Sequence, residues 1–165
     1  MQNILHAIDT SGPGGAETVF LALATRLDPA RYRSYAVIKS EGWVAQQLRK
    51  SGLEPFFADV RGSFNLRYLL QLIRIVRQNK IDIIQSHLFG SNVYCSLAGL
   101  ICRVPVISVF HGSVDVNPKS KLLGTKFRIL NAGSRHVVFV SQSLRDTVLR
   151  SGMTDPAKAH VIYNG

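Results

Sequence analysis

Three short stretches of the sequence hold side chains and glycines able to bind or transform a ligand. The first is Asp9-Thr10-Ser11-Gly12-Pro13-Gly14-Gly15-Ala16-Glu17, placed between an apolar run and an amphipathic one. Glycines there let backbone approach a ligand closely, and the free N–H groups of a helix start favour an anion such as phosphate. The loop is not a dinucleotide fingerprint, because G-x-G-x-x-G set on Gly12 and Gly14 needs glycine where Glu17 stands. It also lacks the Lys-Ser/Thr pair of a P-loop. A plain strand-to-helix turn would use the same glycines. The second stretch is Ser86-His87-Leu88-Phe89-Gly90-Ser91-Asn92 and the third Phe110-His111-Gly112-Ser113. Each sets a histidine, which can donate, accept or carry a proton near neutral pH, at the end of an apolar run. His6, His136 and His160 fall at or near strand starts and read as structural. No two histidines have metal-ligand spacing and no His/Cys/Asp cluster is present, so no metal is expected. No G-x-S-x-G elbow appears, which argues against an α/β-hydrolase. Val140-Ser141-Gln142-Ser143 is a hydroxyl-rich helix start. Ser143 and Asp146 have capping-box spacing, and the alternative is a further wall of a ligand crevice.

Short apolar runs alternate with helical patterns along the whole length, the mark of a parallel sheet wrapped by crossover helices. The expected class is α/β, a Rossmann-like parallel sheet sandwiched by helices. Expected strands are Asn3 to Ile8, Tyr35 to Lys39, Pro55 to Asp59, Asp82 to Ser86, Val106 to Phe110, His136 to Val140 and His160 to Tyr163. Most are continuously apolar, as strands covered on both faces are. Ala16, Phe20, Leu23, Ala24 and Leu27 make one helical stripe, which stops before Pro29. Leu66, Leu69, Leu70, Ile73 and Val76 make a second, with Ser63 or Asn65 as N-cap. Val93, Leu97, Leu100 and Ile101 make a third, ending at Arg103. A basic segment from Lys119 to Asn131 and a helix after Ser141 complete the set. In an open parallel sheet ligands bind outside the carboxyl ends of the strands. The glycine loop and both histidine stretches fall there, converging on one crevice.

The chain has 165 residues, 46% of them hydrophobic, with 20 Lys and Arg against 10 Asp and Glu. That is one globular domain, able to remove roughly 70% of its unfolded surface from water without disulfides or structural metal. No apolar run reaches the ~18 residues of a spanning helix and the first residues lack a signal peptide's pattern, so the expected address is the cytoplasm. Cys95 and Cys102 stand on one helical segment about 10 Å apart along its axis, too far for a disulfide. They read as small buried hydrophobes. A net charge of +10 favours anionic partners. The basic residues are scattered and no nucleic-acid signature is present, so nucleic acid is not expected.

Taken together, the Gly14-Gly15-Ala16-Glu17 loop after the first strand, Asp82-Ile83-Ile84-Gln85-Ser86-His87 followed by a helix and Val104-Pro105-Val106-Ile107, the His111-Gly112 pair, Val140-Ser141, and the closing Val161-Ile162-Tyr163-Asn164-Gly165 resemble the N-terminal half of a GT-B glycosyltransferase of the large retaining family 4. The resemblance covers essentially the whole chain. In that family the last motif is the interdomain connection, and the sequence reads as a piece ending at a domain boundary. The second domain, which holds the nucleotide-sugar donor and paired glutamates spaced E-x7-E, would lie outside it.

The resemblance implies roles. Gly14 and Gly15 would offer backbone N–H groups to the donor diphosphate, with Glu17 beginning the helix behind them. His111 would lie beside the transferring sugar as the catalytic residue, positioning it or stabilising its oxocarbenium-like transition state. His87, Phe89, Ser91 and Asn92 would line the acceptor pocket, and Gly112 and Ser141 would add to the crevice wall. No cofactor and no metal is implied; the donor is a nucleotide-diphosphate sugar. Partners would be that nucleotide-sugar, a glycan or lipid-linked acceptor, the chain's own C-terminal domain and an anionic inner-membrane surface, with bacterial surface polysaccharide assembly as the setting. For the membrane contact, Tyr68, Leu72 and Ile75 stand on the side of their helix away from its main stripe, flanked by Arg67 and Arg74. Lys119, Lys121, Lys126 and Arg128 beside Leu122, Leu123 and Phe127 would form a second basic surface. Two other classes stay open: another Rossmann-like nucleotide-sugar enzyme, such as an inverting GT-B transferase or an epimerase, and a non-catalytic binding module.

Overall fold

A computed structural model describes residues 1–59, 65–112 and 122–164. The elements run β1 (Gln2–Ile8), α1 (Gly15–Thr25), β2 (Tyr32–Ile38), α2 (Trp43–Lys50), β3 (Phe56–Phe57), α3 (Leu66–Gln78), β4 (Ile83–His87), α4 (Phe89–Cys102), β5 (Val106–Phe110), α5 (Leu123–Gly133), β6 (Ser134–Phe139), α6 (Gln142–Arg150) and β7 (Ala159–Val161). All strand pairs are parallel, in the order β3-β2-β1-β4-β5-β6-β7. Every expected strand is present. The order reverses direction between β1 and β4, so the crevice of this sheet lies beyond the carboxyl ends of those two strands.

The period-2 alternation of the strands divides the core by face. Leu5 and Ala7 of β1 pack with Tyr68, Leu72 and Val76 of α3 and Ala98 of α4. Ile8 turns to the other face, with Phe20 and Ala24 of α1 and Val44 and Leu48 of α2. Val137 and Phe139 of β6 join Phe127 of α5 and Leu144 of α6 on the α4 side. On the face carrying α1, a cavity of about 1030 Å³ runs from that helix across Val109, Val138 and Ile162 to Tyr163.

Five sequence expectations change in the structure. α2 was not anticipated; it buries Val44, Ala45 and Leu48. In α3 the buried stripe is Tyr68, Leu72, Ile75 and Val76, while Leu66 and Leu70 are exposed. Tyr68, Leu72 and Ile75 are therefore core residues and cannot touch a membrane. α4 starts at Phe89 and buries Ser91, Asn92, Val93, Cys95, Ser96, Ala98 and Gly99. Leu100 and Ile101 are exposed instead. α4 packs between α3 and α5 as well as on the sheet, and only small side chains let three neighbours come close. In α6 the cap is Ser141, whose Oγ accepts the Leu144 N–H at 3.2 Å, two residues ahead of the expected Ser143 box. Asn65 caps α3 by accepting the Tyr68 N–H at 2.9 Å. Ser63, Ser113, Lys119 and Lys121 lie outside the described residues. Phe127, expected on a basic surface, is buried. Both cysteines are free, and burial pushes the Cys95 thiol up to about 12, consistent with an inert apolar role.

Gly133, where α5 ends, sits against the Ser96 backbone of α4, and a Cβ there would fall inside contact distance of the Ser96 carbonyl. Backbone cannot move aside as a side-chain tip can. Gly133→Ala is expected to lose about 1–3 kcal/mol, outweighing the ~1 kcal/mol helix-propensity gain of alanine. A lowered urea midpoint at unchanged slope is the expected reading; a raised midpoint would show that the two helices can part without cost.

Candidate functional site

The glycine loop leaves β1 and enters α1 through Gly14, whose extended backbone (φ −179°, ψ 175°) makes it the N-cap, with no side-chain cap. Two contacts set the loop's shape. The Thr10 hydroxyl donates to Glu17 Oε1 at 2.6 Å, folding the buried Glu17 carboxylate back under the turn. A Cβ on Gly14 would run into that carboxylate, whereas a Cβ on Gly15 would meet no atom of the chain within 4 Å. Ser11 ties the loop to the neighbouring crossover, its carbonyl accepting the Val44 N–H at 3.1 Å. A side chain at Gly14 would have to push the Glu17 carboxylate away from Thr10, whereas Gly15 leaves its amide open to approach.

Two helix starts meet at the switch point, and they differ in how they are capped. Asp9, the first residue beyond β1, accepts the Ser91 N–H at 3.2 Å, which sets a carboxylate on the amino end of α4. That acid satisfies the helix dipole there. The α1 start carries Glu17 in its first turn but has no side-chain hydrogen-bond cap, so its first amides are the ones left open to an external anion.

His87 ends β4 and His111 follows β5, and the parallel register, His87 beside Val109, brings the two rings together. His87 Nδ1 and His111 Nε2 stand 2.8 Å apart, the rings inclined by 23°. His87 is fully buried, with the Phe20 ring perpendicular to it at 5.6 Å. Burial first, then the neighbouring His111 and His6, hold the His87 imidazole well below its ordinary value, so it is neutral. Leu88, between His87 and α4, has φ 69° and ψ 150°, a sparsely populated conformation for a branched residue that marks this turn as strained.

The other residues of the second stretch lie inside. Ser86 Oγ donates to Asn92 Oδ1 at 2.7 Å, and Asn92 Nδ2 donates to the Val109 carbonyl at 3.0 Å, stitching β4, α4 and β5 together. Ser91, Asn92 and His87 have no exposed surface and Phe89 packs on Phe110 and Phe127. The geometry assigns all four to the support of the crevice rather than to its surface. His111 and Gly112 are partly exposed at its edge. Ser141 is partly exposed, its oxygen occupied by the cap of α6.

Sequence reasoning missed several polar residues. His6, given no role, is buried beside Phe20 and its pKa is lowered to about 4 by desolvation, opposed by a hydrogen bond with Gln85. The unfolded chain, with His6 near 6.5, then binds a proton that the folded chain refuses. Its contribution is complete above pH ~6.5 and is lost as pH falls toward ~4, on the order of 3 kcal/mol. Urea midpoints at pH 7 and 4.5 are expected to differ less in His6→Met than in the parent; equal slopes would contradict this. Ser134 Oγ bridges Ser96 and Ser108 at 2.9 and 2.8 Å, a buried hydroxyl cluster linking α4, β5 and β6. Outside the core, His136 and His160 face each other at 3.0 Å on β6 and β7. Among the described residues, no group of three or more His, Cys, Asp or Glu has the geometry of a metal site. Also among them, no helix is long and apolar enough to cross a membrane.

Residues 13–165 match the sequence model of Glycosyltransferase Family 4. No curated protein sequence matches the chain. Among solved structures, Anabaena HepE in complex with UDP is similar over 100% of this chain and 44% of its own, at 20% identity and a TM-score of 0.79. A glycosyltransferase from Rickettsia africae is similar over 99% of this chain and 43% of its own, at 20% identity and a TM-score of 0.80. MurG of Acinetobacter baumannii is similar over 99% and 45%, at 15% identity and a TM-score of 0.69. The chain thus spans less than half the length of these structures, and at such identities the likeness shows the fold.

Proposed function

Because the chain belongs to Glycosyltransferase Family 4, we propose that it is the acceptor-side, N-terminal half of a retaining, metal-independent enzyme that moves a sugar from a nucleotide-diphosphate sugar to a glycan or lipid-linked acceptor. The observation that carries this reading is the uncapped α1 start at Gly14 and Gly15, which follows β1 at the point where the strand order reverses, at the same carboxyl end of the sheet at which His111 follows β5. A second domain closes over this crevice and brings the donor with it. HepE, solved with UDP and with UDP-glucose, supports a uridine diphosphate donor for the same fold.

Each part has a physical task. Gly15 and Ala16 direct amides and the positive end of the α1 dipole at the diphosphate, stabilising the negative charge that grows there as the sugar departs. Thr10 and Glu17 hold that loop in shape before the ligand arrives, so no reorganisation is needed during reaction. His111, backed by the buried His87, stands at the edge where the sugar would pass. Amides supply the counter-charge in this half, which is the basis for the metal-independent reading. Closure excludes water that would otherwise hydrolyse the donor. His87, Phe89, Ser91 and Asn92 contribute to acceptor binding from behind, by fixing the floor on which the acceptor rests.

A membrane-bound acceptor, in bacterial surface polysaccharide assembly, suits the exposed side of α3, where Leu66 and Leu70 stand with Arg67, Arg74 and Arg77. Cations near anionic headgroups contribute about 1 kcal/mol each. The test of the function is transfer by the complete two-domain protein from a panel of labelled UDP-sugars in excess EDTA. Transfer with the anomeric configuration of the donor kept is the expected result. An inverted product, or activity abolished by EDTA and restored by a divalent ion, would overturn the retaining or the metal-independent reading.

A further inference from the structure

The strand order divides the crossovers by direction. From β1 to β3 the chain steps one way along the sheet and from β4 to β7 the other, so right-handed connections put α1 and α2 on one face and α4, α5 and α6 on the opposite one. The core follows the same division: α1 and α2 bury their side chains with β1 and β2, and α4, α5 and α6 with β5 and β6 on the far face. On the α1 side, β4 to β7 therefore have no helix of their own, and the cavity of about 1030 Å³ lies there. Parallel strands are ordinarily covered on both faces, and Ile107, Val109 and Val138, with Ile162 beyond β7, give this trough an apolar floor. Three inter-strand gaps of ~4.8 Å make it roughly 14 Å across, room for one helix of ~10–12 Å diameter. Its α1 wall is Thr18, Ala22 and Thr25, short side chains a turn apart against which a second helix can lie closely.

Charge selects the occupant. Arg26, Lys50, His136 and His160 line the trough, and among the described residues no Asp or Glu does. His136 Nδ1 and His160 Nε2 stand 3.0 Å apart, and both residues are exposed. Two neutral rings own two N–H groups, and the contact uses one of them, whichever ring supplies it. The other N–H is then on His160 Nδ1 or on His136 Nε2, so the pair keeps one donor for a ligand in either arrangement. A second copy of this chain would bring the same net charge of +10 to the trough, whereas an acidic segment brings the opposite sign.

We propose that this trough is the docking surface for an acidic amphipathic helix from the second half of the same protein, whose apolar side covers Val109 and Val138 while one of its carboxylates accepts from the His136–His160 pair. The inference rests on the proposed two-domain reading for the source of that helix; sugar transfer plays no part in it. Diethyl pyrocarbonate labelling read by mass spectrometry reports the accessibility of each histidine ring. His136 and His160 should react readily in the 165-residue chain and at least roughly tenfold more slowly in the complete protein, as for a helix seated about nine-tenths of the time or more. A carbodiimide, which joins an amine to a neighbouring carboxylate with loss of water, should link Lys50 to an Asp or Glu of the second half. His136→Gln keeps an N–H donor and should leave His160 protected. His136→Glu sets like charge against the carboxylate and should return His160 of the complete protein to its rate in the isolated variant chain, with circular dichroism of that chain separating lost docking from misfolding. Histidines that react equally in chain and complete protein, protection of His160 kept in His136→Glu, or a Lys50 link found only between two copies would overturn the proposal. Protection in a complete protein that transfers no sugar would keep the docking surface and fail the transferase reading; transfer without protection would fail the docking surface alone.

Discussion

His111→Ala in the complete two-domain protein is expected to lower kcat on the order of 10²-fold, with a smaller change in donor KM. Removing one preorganised donor that acts where charge develops costs 10² to 10³ in rate, because water entering the gap must reorganise during each turnover. The fold should survive, since His111 is partly exposed and lies beyond the end of β5. The deletion leaves His87 Nδ1 facing the gap, where a water can enter from the crevice. His111→Gln, which keeps an N–H donor of similar reach, should recover part of the loss. Steady-state kinetics with saturating acceptor separate the two parameters, and turnover at the parent level would remove His111 from the catalytic machinery.

Gly15→Val has the second large effect, and it falls on binding. A Cβ at Gly15 meets nothing in the chain, and the residue already has helical backbone, so the variant should keep the parent's stability to within about 1 kcal/mol. What a branched side chain removes is the approach of a diphosphate to the N–H groups of the first turn. A hydrogen bond to a charged group is worth about 1.5–3 kcal/mol, so donor KM should rise roughly ten- to a hundredfold. Gly14 is the contrasting position. A Cβ there collides with the Glu17 carboxylate, so Gly14→Ala is expected to disturb the loop itself and lower stability as well as binding. Unchanged donor KM in Gly15→Val, with the melting temperature also unchanged, would take the diphosphate away from this loop.

The parallel α/β sheet was readable because most of its strands are buried on both faces and therefore nearly continuous apolar runs, as in Val106–Phe110. What could not be read was which of two apolar stripes a helix buries. In α3, Leu66 and Leu70 compete with Tyr68 and Leu72, and the decision lies with Leu5, Val37 and Ala98 on the elements opposite. α2 has eight residues, starts at Gly42 without a side-chain cap and buries only three side chains, too short a pattern to stand out. At the site, the convergence of the Gly14-Gly15 loop and the two histidine stretches followed from strand ends alone. The burial of His87, Ser91 and Asn92 did not, since it depends on Asp9, Phe20 and the Val109 carbonyl, contacts 17 to 82 residues away in the chain where they are hydrogen bonds. The acid Asp9, which occupies the amino end of α4, is visible in sequence only as the first residue of a loop.

Residue-resolved amide exchange of the complete protein, with and without UDP-sugar, tests most directly the claim that the uncapped α1 start binds the donor diphosphate. Slowed exchange at Gly15 and Ala16 on adding donor, abolished in Gly15→Val, is the predicted result, with little change at Ser91, whose amide is already held by Asp9. Slowed exchange confined to the α4 start or to the second domain, with Gly15 and Ala16 exchanging as fast as before, would contradict it.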